Sequence, residues 1–161
     1  MVTITRSFAA ALLTPLVAVA AQAAEVERTV EVAAPPDEVW AVVGDFCSIQ
    51  QWHPAIVACE AEDKAGTTYR YLKTGDGATF DEQLMQRDDD ARSYEYTILE
   101  SPLPVLSYLS TFSVTPGIDD QTATVVWQSR FTSLGVEDEE AESIIAGIYE
   151  AGLAGIKDAF K

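Results

Sequence analysis

One stretch of the sequence, residues 137–161, decides the fold: E-D-E-E-A-E-S-I-I-A-G-I-Y-E-A-G-L-A-G-I-K-D-A-F-K. Four consecutive acidic residues (137–140) lie at the start, and Lys157 and Lys161 lie near the end, which complements the dipole of a helix. The apolar positions follow helical spacing: Ile144, Ile145, Ile148, Gly152, Gly155, Ile156 and Ala159. The stretch therefore predicts an amphipathic helix of about 24 residues.

The residues before this helix alternate apolar and polar side chains with the period of two that half-buried strands show. A first strand (26–33) stops at Pro35-Pro36, and two short helices follow, one ending at Val43 and one covering 46–53. Further strands are predicted at 56–61, 68–73, 79–87, 92–99, 106–114 and 122–131, with a break at 101–105. This order predicts an α+β fold in which an antiparallel sheet curls around the final helix and buries both apolar faces.

Three glycines, Gly147, Gly152 and Gly155, are expected on the inner face of the helix. Each weakens the helix by up to about 1 kcal/mol relative to Ala. They also remove side-chain volume where the helix crosses the sheet. Two outcomes are open at this stage, namely close backbone contact or an internal cavity.

The amino terminus has the features of a secretory signal peptide covering residues 1–23. Arg6 precedes an apolar run without charges (8–20), and Ala21-Gln22-Ala23 offers small residues for cleavage after Ala23. A membrane anchor is the alternative, but the run is short and rich in alanine for a span of about 30 Å. We therefore expect an exported protein, periplasmic or secreted. Its mature part (24–161) would form one domain without a further membrane span.

The net charge is −16 over 161 residues, of which 48% are hydrophobic. A field of this sign repels nucleic acid and anionic lipid surfaces, so neither is an expected partner. A basic protein partner, or a neutral ligand in an apolar interior, is compatible with this negative charge. The alternative is that the acidity serves only to keep the protein soluble. Cys47 and Cys59 form either one disulfide or two separate buried thiols. With His53 as the only histidine, no spacing suggests a metal site, and no cofactor motif is present.

Several separated segments resemble the SRPBCC superfamily, which includes START-like lipid-binding domains and the polyketide cyclase/dehydrase branch. They are P-P-D-E-V-W-A-V-V-G-D-F (35–46), Q-W-H-P-A-I (51–56), S-P-L-P-V (101–105) and Y-E-A-G-L (149–153), together with Glu82, Asp88-Asp89, Arg92 and Tyr94. The resemblance covers residues 25–161 and implies a helix-grip fold. In that fold a curved seven-stranded antiparallel sheet wraps around the C-terminal helix and leaves a hollow. Within the superfamily, the chain resembles small exported members of the MxaD type, accessory proteins of periplasmic methanol oxidation, more closely in composition than it resembles the cytoplasmic cyclases.

Two titratable residues are candidates for acid–base chemistry. His53 follows the second short helix, near the cavity mouth that the resemblance implies, and a general base there needs a hydrogen-bonding partner. Glu82 shares a strand face with Phe80 and Leu84, and Arg92 or Arg70 could pair with it. A buried acid of this kind has a raised pKa and exchanges a proton with a ligand. The structural alternatives are a histidine that caps the helix end or packs beneath Trp52, and a glutamate that ties strands together.

The sequence is also dense in aromatic residues that strand alternation could place on one surface. Such a cavity suits a planar or lipid-like apolar ligand, and ordinary core filling is the alternative. The candidate ligand-binding residues are Trp52, His53, Tyr69, Tyr94, Tyr96, Tyr108, Phe112, Trp127 and Tyr149.

Three functional hypotheses follow. The first is an exported protein that binds a hydrophobic small molecule between sheet and helix, with entry near Trp52-His53-Pro54 and Pro102-Leu103-Pro104. The second, a cyclase or dehydratase acting on an aromatic or polyketide-like substrate, uses His53 and Glu82. The third is an accessory interaction module for a periplasmic dehydrogenase or cytochrome system, docking a basic partner through the acidic surface. Export favours binding or accessory roles over catalysis, because cyclases that act on carrier-bound intermediates are cytoplasmic.

Overall fold

The computed structural model of the protein describes residues 23–161. Of the predicted signal peptide (1–23), only Ala23 belongs to the described part, and the rest lies outside it. Seven strands and three helices follow in the predicted order, and the α+β prediction is confirmed. They are β1 (Ala24–Val32), α1 (Pro36–Val43), α2 (Ile49–Trp52), β2 (Ile56–Lys64), β3 (Thr67–Thr74), β4 (Thr79–Asp88), β5 (Ser93–Glu100), β6 (Val105–Pro116), β7 (Ala123–Ser133) and α3 (Asp138–Ala159).

The strands form one curved antiparallel sheet with the order β1-β7-β6-β5-β4-β3-β2. Neighbours in sequence pair as hairpins from β2 to β7, and β1 joins the far side by pairing with β7. β1 and β2 are therefore the two edges. The long helix α3 packs across the β1 and β7 side, which completes the predicted helix-grip arrangement.

The core lies between α3 and one face of the sheet, which we call the inner face. On β7 the alternate residues Ala123, Val125, Trp127 and Phe131 are buried, as a half-buried strand requires. The buried stripe of α3 repeats at three or four residues, as the helical period predicts. It comprises Ala141, Ile145, Ala146, Tyr149, Gly152, Leu153 and Ile156.

Two of the three predicted inner glycines mark close backbone contact. A Cβ atom at Gly155 would overlap the carbonyl oxygen of Trp52, and one at Gly152 would come within 2.7 Å of the His53 ring. The prediction for Gly147 is wrong, because it is exposed and a Cβ atom there would meet nothing within 4 Å. It lies five residues before Gly152, which is about 1.4 helical turns, so the two glycines face directions about 140° apart around the helix.

The second short helix is shorter than predicted, because the chain before it forms turns. Ser48 Oγ donates to the carbonyl oxygens of Val43 at 2.9 Å and Asp45 at 2.7 Å, and Asp45 Oδ1 accepts from the Cys47 amide at 2.9 Å. Such local side-chain bonds compete with helix formation. The helix therefore begins only at Ile49.

Cys47 and Cys59 are joined as a disulfide with their Cα atoms 5.5 Å apart. The bond links the turn before α2 to the edge strand β2 and closes a loop with a sequence separation of 12. Within residues 23–161, no helix has both the length and the apolar character needed to cross a lipid bilayer.

Candidate functional site

A cavity of about 80 Å³ lies between α2, α3 and the inner face of β3 to β7. Its wall is mostly apolar, with a few polar groups that converge on it. The lining residues are Ile49, His53, Ala55, Ile56, Leu72, Thr74, Phe80, Glu82, Tyr96, Ile98, Leu103, Tyr108, Trp127, Ile145, Ile148 and Tyr149.

Seven of the eight predicted aromatic residues divide into two groups. Tyr96, Tyr108, Trp127 and Tyr149 line the cavity, and the ring of Trp127 stacks on Tyr149 at 4.3 Å between centroids. Behind them, Trp52, Tyr94 and Phe112 are buried core residues that do not line it; Phe112 stacks on Trp52 at 5.5 Å and on Tyr94 at 5.3 Å. Cavity lining and core filling, the two interpretations of the aromatic set, therefore apply to different members.

Tyr69 lies away from the other candidates. Its neighbour on β3, Arg70, is fully buried on the inner face, so Tyr69 points to the outer face. There its ring lies 5.7 Å from Nζ of the exposed Lys64. The structure thus does not bring Tyr69 to the cavity.

A chain of hydroxyl groups connects the polar side of the cavity. Tyr96 and Tyr108 hydroxyls are 3.4 Å apart, Tyr108 bonds Tyr149, and the Tyr149 hydroxyl lies 3.3 Å from Ser110 Oγ. Trp127 Nε1 donates to the Tyr96 hydroxyl at 3.1 Å. Burial raises the pKa of Tyr96, of Tyr108 and, to about 12, of Tyr149, so all three phenols are neutral at pH 7.

Ser110 is a member of this chain that the sequence analysis missed. Its signal was its parity, because it lies on β6 between Tyr108 and Phe112 and shares their buried face. A serine on an apolar strand face carries little information by itself. Only the tyrosine that arrives from α3 makes it part of a network.

His53 is buried, and both of its ring nitrogens are engaged. Nδ1 accepts from the Ala55 amide at 3.2 Å, which leaves the proton on Nε2, and Nε2 donates to the Ile148 carbonyl oxygen at 3.0 Å. Burial lowers the pKa of the imidazole, with the backbone bonds acting in the opposite direction. His53 thus links the end of α2 to α3 as a neutral ring.

Glu82 is paired with Arg70, one of its two predicted partners, inside the protein. Arg70 Nε donates to Glu82 Oε2 at 2.5 Å, and Nη1 donates to the Phe46 carbonyl oxygen at 2.5 Å. The guanidinium also lies 4.1 Å from the centre of the Phe46 ring and 4.8 Å from that of Tyr96. The other predicted partner, Arg92, instead lies 3.1 Å from Asp37 at the surface of α1.

Burial and pairing act against each other on this ion pair. Burial raises the pKa of the Glu82 carboxyl above its usual range, and the charge and hydrogen bond of Arg70 offset only part of this rise. For Arg70, burial is the largest effect and disfavours the charged form, but the Glu82 carboxylate together with the Tyr94 and Tyr96 side chains outweighs it, and the pKa is raised. A guanidinium keeps its proton in proteins, and a buried cation needs a counter-charge, so the pair is ionised.

The cavity opens beside α2 and the segment that joins β5 to β6. Ala55 is exposed there, and Ile98, Leu103 and Ile148 are half-buried. Both regions that the sequence predicted at the entrance contribute a lining residue, His53 from the first and Leu103 from the second.

Known structures share this architecture. XoxI from Bacillus cereus is 36% identical, with a TM-score of 0.80, over 85% of this chain and 95% of that chain. A protein from Thermobifida fusca is 33% identical, with a TM-score of 0.77, over 85% and 93%. The ZhuI aromatase/cyclase from a Streptomyces species is 23% identical, with a TM-score of 0.69, over 86% and 93%, and shows a similar fold.

No functionally curated protein matches the chain. Residues 23–161 match the family described as polyketide cyclase/dehydrase and lipid transport. The resemblance to the SRPBCC superfamily is thereby confirmed, and the narrower likeness to MxaD-type proteins stays a prediction. The chain belongs to the polyketide cyclase/dehydrase and lipid transport family.

Proposed function

We propose that the protein binds an apolar small molecule in the cavity between α3 and the inner face of the sheet. The observation that carries this proposal is the composition of the wall, which is apolar and aromatic with a few converging polar groups. Such walls are typical of small-molecule sites. The hydrophobic ligand-binding potential of the family agrees with it.

The cavity size limits what is held inside. At about 80 Å³ it is smaller than the roughly 300–1,000 Å³ of pockets that enclose drug-sized ligands. It holds a small ligand, or one apolar end of a larger ligand whose remainder extends through the mouth past Leu103. Complete enclosure of a drug-sized ligand would require the segment 101–104 to move away from the cavity.

A matched pair of variants on α3 tests this proposal. Ile148 lines the cavity, whereas Ile144, one turn earlier, is 38% exposed and does not. Toluene binding, measured by ligand-observed NMR, is expected for the wild type and for Ile144→Trp and not for Ile148→Trp. Equal toluene binding by both variants, or none by the wild type, contradicts the proposal.

The cyclase or dehydratase alternative is less well supported. It requires an acid and a base at His53 and Glu82, but both His53 nitrogens are bonded to backbone groups and Glu82 Oε2 is bonded to Arg70, so only Glu82 Oε1 is left for proton transfer and the second group is missing. A base must have a free lone pair directed at the substrate. Binding makes no such demand on these residues.

Export and a basic protein partner belong to the proposal as well. They are supported by the N-terminal sequence and by the net charge of −16. The mass of the chain recovered from a periplasmic fraction tests cleavage after Ala23. Binding of a basic exported cytochrome that weakens steeply with salt tests the acidic docking surface, because salt screens such contacts.

A further inference from the structure

The hydrogen-bond donors of the cavity wall are used up inside the protein. Ser110 Oγ donates its proton to the Gln128 carbonyl oxygen at 2.8 Å, since that oxygen can only accept. Tyr149 must then donate to Ser110, Tyr108 to Tyr149, and Tyr96 to Tyr108. The hydrogen bond from Ser110 to Gln128 thus fixes which hydroxyl donates and which accepts in every other bond of the hydroxyl chain.

The other side-chain donors of the wall are engaged too. Trp127 Nε1–H donates to Tyr96, and His53 Nε2–H donates to the Ile148 carbonyl oxygen. The Thr74 hydroxyl is bound by Asp76 in the turn after β3. Ser129 Oγ is buried without a partner, but Ser129 is not among the residues that line the cavity. Across residues 23–161, no side-chain donor of the wall is left for a ligand.

The wall does keep one strong acceptor. Glu82 lines the cavity, and Arg70 binds only its Oε2. No hydrogen bond from the described residues reaches Oε1. Because Arg70 stays protonated, Glu82 stays a carboxylate and Oε1 is a charged acceptor in a low-dielectric wall.

We infer that the ligand is an apolar molecule with a hydrogen-bond donor group, an alcohol, phenol or amine, which binds Oε1 of Glu82. A ketone, aldehyde or carboxylate of the same shape finds no free side-chain donor in the wall and faces the Glu82 carboxylate. This inference rests on the proposed function, since it names the chemical class that the proposed cavity selects.

Five molecules of one shape test it by isothermal titration calorimetry on the purified protein. Benzyl alcohol and benzylamine are expected to bind at least about tenfold more tightly than toluene, as hydrogen bonds to charged groups allow. Benzaldehyde is expected to bind no better than toluene, and benzoate worse. If benzaldehyde or benzoate binds more tightly than benzyl alcohol, the inference is overturned and the proposed function stands. If none of the five binds, both fail.

Two serine variants test the direction of the hydroxyl chain without breaking the ion pair. Ser110→Ala removes the acceptor of Tyr149 and releases a tyrosine donor, so benzaldehyde binding should improve at least about fivefold relative to benzyl alcohol. Ser113→Ala, on the same strand but half-buried on its other face, should leave this ratio unchanged. An unchanged ratio in Ser110→Ala overturns the donor assignment.

Discussion

Gly155 of α3 lies directly against the backbone carbonyl of Trp52 at the end of α2, with no room between them for a side chain. The contact brings the short helix onto the long one. It thereby places His53, the next residue, beneath the Ile148 carbonyl oxygen. One glycine thus fixes the side of the cavity that α2 provides.

Replacing Gly155 with Ala should therefore destabilise the protein, although alanine favours helix. The backbone of α2 would have to move, and overpacking of this kind costs about 1–3 kcal/mol. Gly147→Ala is the matched control on the same helix, where the added methyl meets open space. It should stabilise by about 0.5–1 kcal/mol. Urea unfolding curves compare the two, and equal effects would contradict the close contact.

The buried ion pair should couple strongly in a double-mutant cycle. Glu82→Leu leaves the Arg70 cation buried without a partner, and breaking such a pair costs about 3–5 kcal/mol. Arg70→Met with Glu82→Leu removes both charges and should recover much of that loss. Chemical unfolding of the wild type, the two single variants and the double variant gives the coupling energy. Additive effects would show that the two side chains do not depend on each other.

His53 should contribute a pH-dependent term to stability. Burial lowers the pKa of His53 below its ordinary value of 6.5, so the unfolded chain takes up the proton first as pH falls. The contribution of neutral His53 to the free energy of unfolding is complete above about pH 6.5. Below that pH it declines by up to about 1.4 kcal/mol per pH unit. Unfolding free energies at pH 7.5 and 5.5 measure the slope.

His53→Gln is the control for this slope, because an amide nitrogen still donates to a carbonyl but does not titrate. The variant should lose less stability than the wild type between the two pH values. The chain has one histidine, so its ring signals in an NMR titration report this site alone. A histidine pKa at or above 6.5 would contradict the burial that the structure shows.

Loss of the disulfide should weaken the fold without rearranging it. The loop between Cys47 and Cys59 is short, and chain-entropy arguments give about 3 kcal/mol for one of this length. The double variant Cys47→Ser with Cys59→Ser should unfold at a correspondingly lower urea concentration than the wild type. Dithiothreitol should lower the free energy of unfolding of the wild type to that of the double variant, and it should leave the double variant unchanged. No response of the wild type to reduction would contradict the bond.

The sequence predicted the fold well, because periodicity reports which face of each element is buried. The order of elements and the sheet could be predicted in this way, with the helix over 137–161 as the strongest signal. The exact phase of single residues within a helix or strand is predicted less well than the element itself. Gly147 lies on the side of α3 opposite the centre of its buried stripe, and Tyr69 lies on the face of β3 opposite Arg70, so neither reaches the core.

The site was harder to predict, since its chemistry depends on partners that lie far apart in the chain. Alternation placed Glu82 on an inner face, but the choice between Arg70 and Arg92 depends on strand register. The role of Ser110 requires Tyr149, which is 39 residues away. The engaged state of His53 depends on a backbone carbonyl of α3, and no side-chain pattern reveals that contact.

The sheet order has a consequence for how separate copies of the protein meet. Each edge strand has a sheet neighbour on one side only, although Gln50 of α2 bonds two backbone groups of β2, and both strands carry exposed acids: Glu25, Glu27 and Glu31 on β1, and Glu60, Glu62 and Asp63 on β2. Two sheets that approach edge to edge bring these carboxylates together, and the repulsion keeps them from joining into a longer sheet. Part of the protein's acidity thus protects it from assembling into filaments, and acid strong enough to neutralise these residues removes that protection.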